Sequence, residues 1–398
     1  MIFEYLRTEI LNGECFMIKV LMVAGSMDVG GIENQLMHLL RNADRDNFQI
    51  DFTSTMEKAF YRSEIESFGS KFILIPDMDW KCPQKYCQAL LRVMKEGQYD
   101  IVHSHELFHS GITLWLAKRA GVPCRFAHAH NWCDGDGSGK STSVVRKLYN
   151  VKMRALIRKY STVQIACSTL AGEFLYGEDF LNKVSYHLVY NSVDTSKFLN
   201  CYDQQETGEF CEPNWTNVLH IGRITMVKNQ LFLVKMAEQF KARGKHIRIL
   251  CAGNGDQEYV DTIKKEIKDR GLDEYIRLLG TRKDIDVLMR KAKAFVLPSQ
   301  YEGMPLVLIE AQASGLPCVV ADTFSHEVDF GIGMVDWLPL DGDVDTWCDT
   351  LEAAVQKNRA QKKNVANAIA GGRFDSKMFA ETLCDLYQEN FQLERSRK

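Results

Sequence analysis

The chain predicts an α/β fold made of two doubly wound parallel sheets that face a shared cleft. Short apolar runs alternate with amphipathic segments of helical period from residue 18 to residue 321, the pattern of repeated βαβ units. The alternation lapses through the polar stretch 200–217 and then restarts, which divides the chain into two units. A length of 398 residues also exceeds one ordinary core and suits two domains of comparable size.

In the first unit, strands are expected over 18–23, 48–52, 71–75, 101–103, 125–129, 162–166 and 185–189, with helices between them such as 33–41 and 111–120. The second unit opens with a strand over 217–222 and continues with strands over 246–252, 275–279, 294–298 and 317–321. The expected division is an N-terminal extension over 1–16, a first domain over 17–200, a second over 201–374, and a closing helical stretch over 375–398 that packs on either domain. The run Met17-Ile-Lys-Val-Leu-Met-Val looks like a first strand beginning directly from a methionine, so Met17 is a candidate natural start.

Composition narrows the function. A net charge of −3 argues against a nucleic-acid-binding protein as a whole. Twelve cysteines are scattered without a CxxC pair, several in apolar runs, as expected of reduced core thiols. No apolar run is long enough to span a bilayer, and the expected location is the cytoplasm, including the inner face of the cell membrane.

In an open α/β sheet, ligands bind beyond the carboxyl ends of the strands, so the turns there carry most of the functional information. Gly25-Ser-Met-Asp-Val-Gly30-Gly31-Ile-Glu33-Asn34 follows the first strand and leads into a helix, and its paired glycines would let backbone approach a phosphate. The spacing is not GxGxxG, and Asp51, the available acidic residue, lies inside a strand rather than at its end, which disfavours a dinucleotide site. After the first strand of the second unit comes Gly222-Arg223-Ile-Thr-Met-Val-Lys228-Asn-Gln230. Its Arg fork and Lys point charge suit a diphosphate, although a solvated basic turn reads the same way. Glycine turns recur at Gly253, Gly255 and Gly280, the last just before Arg282.

Further on, Glu302-Gly303-Met304-Pro305-Leu306-Val-Leu-Ile-Glu310 sets two glutamates eight positions apart on an apolar segment. A strand, a glycine turn and a helix starting at Pro305 and ended by Gly315 are expected. A carboxylate inside such a helix is costly without a partner, and pairing with an Arg or a backbone donor is the plain structural alternative. His103 and His105 share one strand face, as do His128 and His130, which makes a metal site conceivable; a metal hydrolase would need carboxylates, and Glu106 and Asp134 are the near candidates. DxD triplets at Asp77, Asp134, Asp284, Asp341 and Asp343 are too frequent and too loop-like to mark one metal site. Residues 140–159 carry seven Lys or Arg and no acidic residue, with Val145, Leu148, Tyr149, Leu156 and Ile157 available for an apolar side. They suit either an anionic membrane surface or a core-facing helix with a solvated basic side.

Taken together, GGIEN after the first strand, AHAHN ending near 130, GRxxxxKNQ at 222–230 and EGMPLVLIEAxASGLP at 302–317 resemble the retaining family-4 glycosyltransferases of GT-B architecture, in the exopolysaccharide and capsule branch. The resemblance runs from Met17 to nearly the end of the chain. It implies two Rossmann-like domains, the first for the acceptor and the second for a nucleotide-sugar donor. Glu310 would hold the ribose hydroxyls. Glu302 would lie near the donor sugar or leaving phosphate, with the backbone of Gly303, Met304, Pro305 and Leu306 cradling the sugar and diphosphate. Arg223 and Lys228 would neutralise the departing diphosphate in place of a metal ion. His130 matches the active-site histidine, His128 less well; Gly30 and Gly31 would close over the phosphates; Arg282 would lie beside the base. No cofactor is implied. The implied donor is a uridine-linked hexose or N-acetylhexosamine, with guanosine-linked mannose behind it, and the implied acceptor is a glycan or lipid-linked oligosaccharide. A sugar-nucleotide epimerase sharing the architecture, or a silent sugar-nucleotide-binding subunit, are the alternatives.

Overall fold

A computed structural model of the chain describes residues 17–28, 30–78, 83–130, 144–178, 186–199, 209–210, 212–370 and 372–397. Thirteen strands in these segments form two sheets: β1 Ile18–Val23, β2 Phe48–Ser54, β3 Phe72–Leu74, β4 Ile101–Ser104, β5 Cys124–Ala129, β6 Val163–Ala166 and β7 Tyr186–Leu188 in the first; β8 Thr216–Ile221, β9 Ile247–Ala252, β10 Ile276–Gly280, β11 Ala294–Leu297, β12 Cys318–Ala321 and β13 Val335–Leu338 in the second.

The first sheet runs in the order β3-β2-β1-β4-β5-β6-β7 and the second in the order β10-β9-β8-β11-β12-β13, and the strand pairs are parallel. Each is a doubly wound sheet whose order reverses once, between β1 and β4 in the first and between β8 and β11 in the second. Those reversals are where crossovers leave to opposite faces and open a crevice at the carboxyl edge. Helices cover both faces of the central strands, so β4, β5, β6, β11 and β12 are buried at every position; β11 and β12 are unbroken apolar runs, whereas β4, β5 and β6 also bury His103, Ser104, Arg125, His128 and Gln164.

Boundaries differ from expectation at the edges. β3 is shorter than 71–75, and β13 was not anticipated, since Val335-Asp-Trp-Leu is an edge strand of intermediate burial with a charge inside it. Pro305 precedes the helix Leu306–Ala313 as its N-cap rather than opening it. Its φ of −73° is helical, but its ψ of 93° is extended. Gly315, at φ 69°, ends that helix in the left-handed conformation that glycine adopts without penalty.

The closing helix spans Ser376–Ser396 and packs on the first sheet: Phe379, Leu383, Leu386 and Tyr387 share a core with Val20, Met22, Phe48 and Phe126. The segment leading into this helix meets the first domain at Val193, whose N–H donates to Phe374 O at 2.9 Å. A separate core joins residues of both units, among them Phe108, Phe198, Phe295, Leu308 and Phe374. The boundary expected at 200, the extension 1–16, and Asp134 lie outside the described residues.

Candidate active site

The reversal point of the second sheet assembles the most chemistry. β8 ends at Ile221 and the chain turns through Gly222 and Arg223 into a short 3-10 segment, Met226–Lys228, before the helix Gln230–Ala242. Asn229 sits at φ 58°, a left-handed conformation that Asn tolerates. Buried Gln230 braces the turn from within: its carboxamide nitrogen donates to Arg223 O at 3.1 Å and its oxygen accepts from Thr225 N at 3.3 Å. Residues 229 and 230 of the sequence motif therefore shape the loop that presents Arg223 and Lys228.

The neighbouring turn after β9 is locked against this loop. Gly222 N donates to Ala252 O and Ile224 N to Asn254 O, each at 3.0 Å. A Cβ on Gly253, at φ 140°, would lie 2.0 Å from Gly222 O, and one on Gly255 would lie 1.9 Å from Ile224 O. These glycines are required by contact with backbone, a role their sequence spacing does not disclose.

On the other side of the reversal, β11 leads to Ser299 and Gln300, whose N–H donates to Val227 O at 2.7 Å. Two residues later Glu302 meets Lys228, with Nζ 2.5 Å from Oε1 and both side chains largely shielded. The ion pair unites the two turns that straddle the reversal. Exposed Arg223 stands five residues from Lys228 on the same loop.

The helix Leu306–Ala313 begins just beyond. Leu308, Ile309, Ala311 and Ala313 are fully buried, while Leu306, Val307 and Glu310 form a largely buried stripe at its margin. A methyl added to Gly31, at the first helix start of the other domain, would stand 4.0 Å from Leu306 Cδ1, so the paired-glycine turn and the glutamate helix face each other across the cleft. Gly30 is extended at φ −165°; a Cβ there would meet only the flexible end of Glu33, which Ser26 Oγ holds through a 2.6 Å bond to Oε1. Burial raises the Glu310 carboxyl to about 7, against a smaller opposing pull from Lys197. Lys197 itself pairs with Asp286 at 3.2 Å.

His130 follows β5, 5% exposed, with Nε2 2.9 Å from His105 Nδ1. Burial lowers it to about 4, so the ring is neutral, with Asn191 opposing the shift. Arg282, after β10, is held in a bidentate pair by Asp284 at 2.9 and 2.7 Å with Glu209 at 3.3 Å. The sequence motifs thus converge as Arg223, Lys228, Glu302 and the 303–310 segment on one side and Gly30 and Gly31 on the other.

Two facing Rossmann-like sheets with cations and carboxylates at the reversal point define a GT-B protein. Residues 212–331 match the model of the group 1 glycosyl transferases, and residues 29–197 that of glycosyltransferase family 4. The chain is 31% identical over 384 residues to EpsF of Bacillus subtilis, assigned as a glycosyltransferase, covering 95% of this chain and 98% of the relative. It is 25% identical over 383 residues to the Staphylococcus aureus capsular polysaccharide biosynthesis glycosyltransferase CapH, covering 93% and 99%. It is 26% identical over 343 residues to an Escherichia coli UDP-Gal:alpha-D-GlcNAc-diphosphoundecaprenol alpha-1,3-galactosyltransferase, covering 85% of each. Among solved structures, HepE of Anabaena superposes with a TM-score of 0.74 at 17% identity, covering 94% of this chain and all of that one, and WaaG superposes with 0.68 at 12%, covering 93% and 99%. The chain belongs to the family 4 glycosyltransferases, and the resemblance expected from its motifs holds.

Proposed function

We propose that this enzyme transfers a hexose or N-acetylhexosamine from a uridine-diphosphate sugar to a lipid-linked glycan in surface polysaccharide synthesis, with retention of anomeric configuration and without a metal on the diphosphate. The observation that carries the proposal is the Lys228–Glu302 pair at the sheet reversal, opposite Gly31. A diphosphate seated there would meet Lys228 and Arg223 in place of the Glu302 carboxylate, and Glu302 would turn to the donor sugar. The acceptor hydroxyl then attacks the anomeric carbon on the face the diphosphate leaves. The bond to the leaving oxygen breaks, and that oxygen takes the hydroxyl proton. Neutral His130 would donate or accept a hydrogen bond at the sugar. The protein supplies position and charge rather than a covalent nucleophile. The names of the E. coli and S. aureus relatives support the polyprenyl-linked acceptor and the capsule context, and a relative named for GDP-mannose keeps guanosine as the second base. The domain roles follow: acceptor over 17–200, donor over 201–374. Thermal-shift comparison of nucleotide diphosphates tests the donor assignment, because a ligand of the native state raises its apparent stability. UDP should give the largest shift; a larger shift with GDP, or none with any base, contradicts it.

Glu310 gives this reading a pH signature. Its folded pKa of about 7 exceeds the ordinary 4.5, so between those values the folded chain holds more protons than the unfolded chain. Its contribution to stability therefore falls as pH rises through that window and is level above it. Ribose hydroxyls would donate to the ionised carboxylate, so UDP affinity should strengthen as pH rises toward 7, by up to about tenfold per unit. Calorimetric titration at several pH values checks this, and Glu310→Gln should bind weakly with the slope removed; an unchanged slope in the variant refutes the ribose role.

The helix Val144–Tyr160 supports a membrane contact. Met153 and Ile157 enter the core and Tyr149 and Leu156 pack against it, while Val144, Val145, Leu148 and Val151 form a second, exposed stripe beside Arg146, Lys147 and Lys152. Residues 140–143 of the basic segment lie outside the described residues. No helix among the described residues is long and apolar enough to cross a membrane. Phosphatidylglycerol vesicles should co-sediment the protein at low salt and release it with Val145→Asp plus Leu148→Asp; absence of wild-type binding removes the membrane contact.

A further inference from the structure

The histidines of the first sheet form a cluster that the proposed transfer leaves mostly unused. His103 lies on β4 and His105 just beyond it; His128 lies on β5 and His130 just beyond it. β4 and β5 are neighbours in register, with His103 opposite Phe126, so alternation brings the four rings to one face. They pack together there, with ring centroids 4.2 Å apart for His103 and His105 and 5.3 Å for His105 and His128, both tilted, and 5.3 Å for His103 and His128 and 4.0 Å for His128 and His130, both stacked. None is more than 7% exposed.

Their hydrogen bonds are incomplete in a consistent way. His103 Nδ1 lies 2.6 Å from Tyr387 Oη and His105 Nδ1 lies 2.9 Å from His130 Nε2. His103 Nε2, His105 Nε2 and both ring nitrogens of His128 have no hydrogen-bond partner among the described residues. Buried polar atoms are normally satisfied, so several orphaned nitrogens in one place call for a shared partner. One ring nitrogen from each of His103, His105 and His128 falls within a group no wider than 4.8 Å.

We propose that His103, His105 and His128 form a binding site for a divalent transition-metal ion of the zinc class. Three imidazoles without thiolate or carboxylate are a ligand set suited to zinc, with a water in the fourth position. Zinc–nitrogen bonds of about 2.0–2.1 Å require the nitrogens to draw together to roughly 3.3 Å, a movement of the rings about their side-chain torsions. Coordination through the unpartnered Nε2 atoms of His103 and His105 leaves His103 Nδ1–H to donate to Tyr387 Oη and His105 Nδ1–H to donate to His130 Nε2. Such outer bonds are what orient metal-binding imidazoles. The ion would fasten β4 to β5 and, through Tyr387, fasten the closing helix to the first sheet. It would also set the tautomer of His130, with Nε2 accepting and Nδ1 protonated, which makes His105 a positioning residue. None of this depends on the donor, the acceptor or the diphosphate contacts of Arg223 and Lys228.

The test uses the full chain with any affinity tag removed, stripped with a chelator and titrated with cobalt(II). One equivalent should bind with the visible absorption of a four-coordinate nitrogen site, and one equivalent of zinc should displace it and raise the unfolding temperature. Tyr387→Phe should weaken zinc by about 10- to 100-fold, the usual effect of losing an outer partner, where a merely structural hydroxyl would leave affinity unchanged. His128→Phe should abolish the cobalt spectrum in a chain with native circular dichroism. A wild-type chain that takes up no stoichiometric cobalt or zinc overturns the proposal whether or not the variants fold, and so does an unaltered spectrum in His128→Phe.

Discussion

Lys228→Ala and Glu302→Gln should each lower kcat by roughly 10²- to 10³-fold, the scale set by removing one group that stabilises developing charge in a transition state. Lys228 is a largely shielded cation at the strand reversal; Arg223 is on the same loop but exposed, and Arg282 is held by Asp284 and Glu209. Alanine at 228 also deprives Glu302 of its 2.5 Å cation, whereas glutamine at 302 keeps an oxygen that Lys228 can reach. The pair is neither fully buried nor fully exposed, so its loss should cost on the order of 1–3 kcal/mol of stability, between the values for surface and buried pairs. Rate and stability are thereby separable. Steady-state turnover beside thermal unfolding checks the point, and the double variant should be little slower than either single one if the two residues act as a unit. Wild-type turnover in both single variants would refute their roles.

Gly253→Ala should abolish donor binding and destabilise the second domain by several kcal/mol. The added carbon would lie 2.0 Å from Gly222 O and 2.9 Å from Gly222 C, and both are backbone, so no rotamer change relieves the contact. The φ of 140° adds strain of order 1–3 kcal/mol for a residue with a side chain. The turn carrying Arg223 and Lys228 must then move away from β9, breaking the bonds from Gly222 N to Ala252 O and from Ile224 N to Asn254 O. Gly244→Ala is the matched control. Gly244 is also left-handed, at φ 63°, but nothing stands within 4 Å of its added carbon, so only the strain of about 1 kcal/mol should appear and nucleotide binding should be kept. Equal losses in the two variants would show that backbone strain, not displacement of the loop, is the cause.

The sheets were legible because parallel strands covered on both faces are short segments dominated by apolar residues. β13 was not, because an edge strand with Asp336 inside it carries neither an unbroken run nor a clean alternation. Within the site, Arg223, Lys228, Glu302 and Glu310 stood out as charges next to glycine turns or on an apolar helix. Gln230 and Gly253 stood in the same turns, but their roles were not readable, since a buried glutamine bracing a loop and a glycine pressed on a distant backbone are set by tertiary contact. The two histidine pairs were visible as alternations, but their stacking depends on the pairing of β4 with β5, and the bond to Tyr387 joins residues 284 apart. The basic helix had one apolar side in the sequence and has two in the structure, because its burial depends on what packs beneath it.

Transfer itself is tested most directly by supplying UDP-linked sugar with and without a polyprenyl-diphosphate glycan and following both the sugar and the anomeric proton by NMR. Sugar should move into the lipid fraction, with UDP released only when the acceptor is present, the donor's anomeric configuration kept, and both signals lost in Lys228→Ala. Acceptor-independent release of UDP with an epimerised free sugar, or a product of inverted configuration, would contradict retaining transfer at the Lys228–Glu302 cleft.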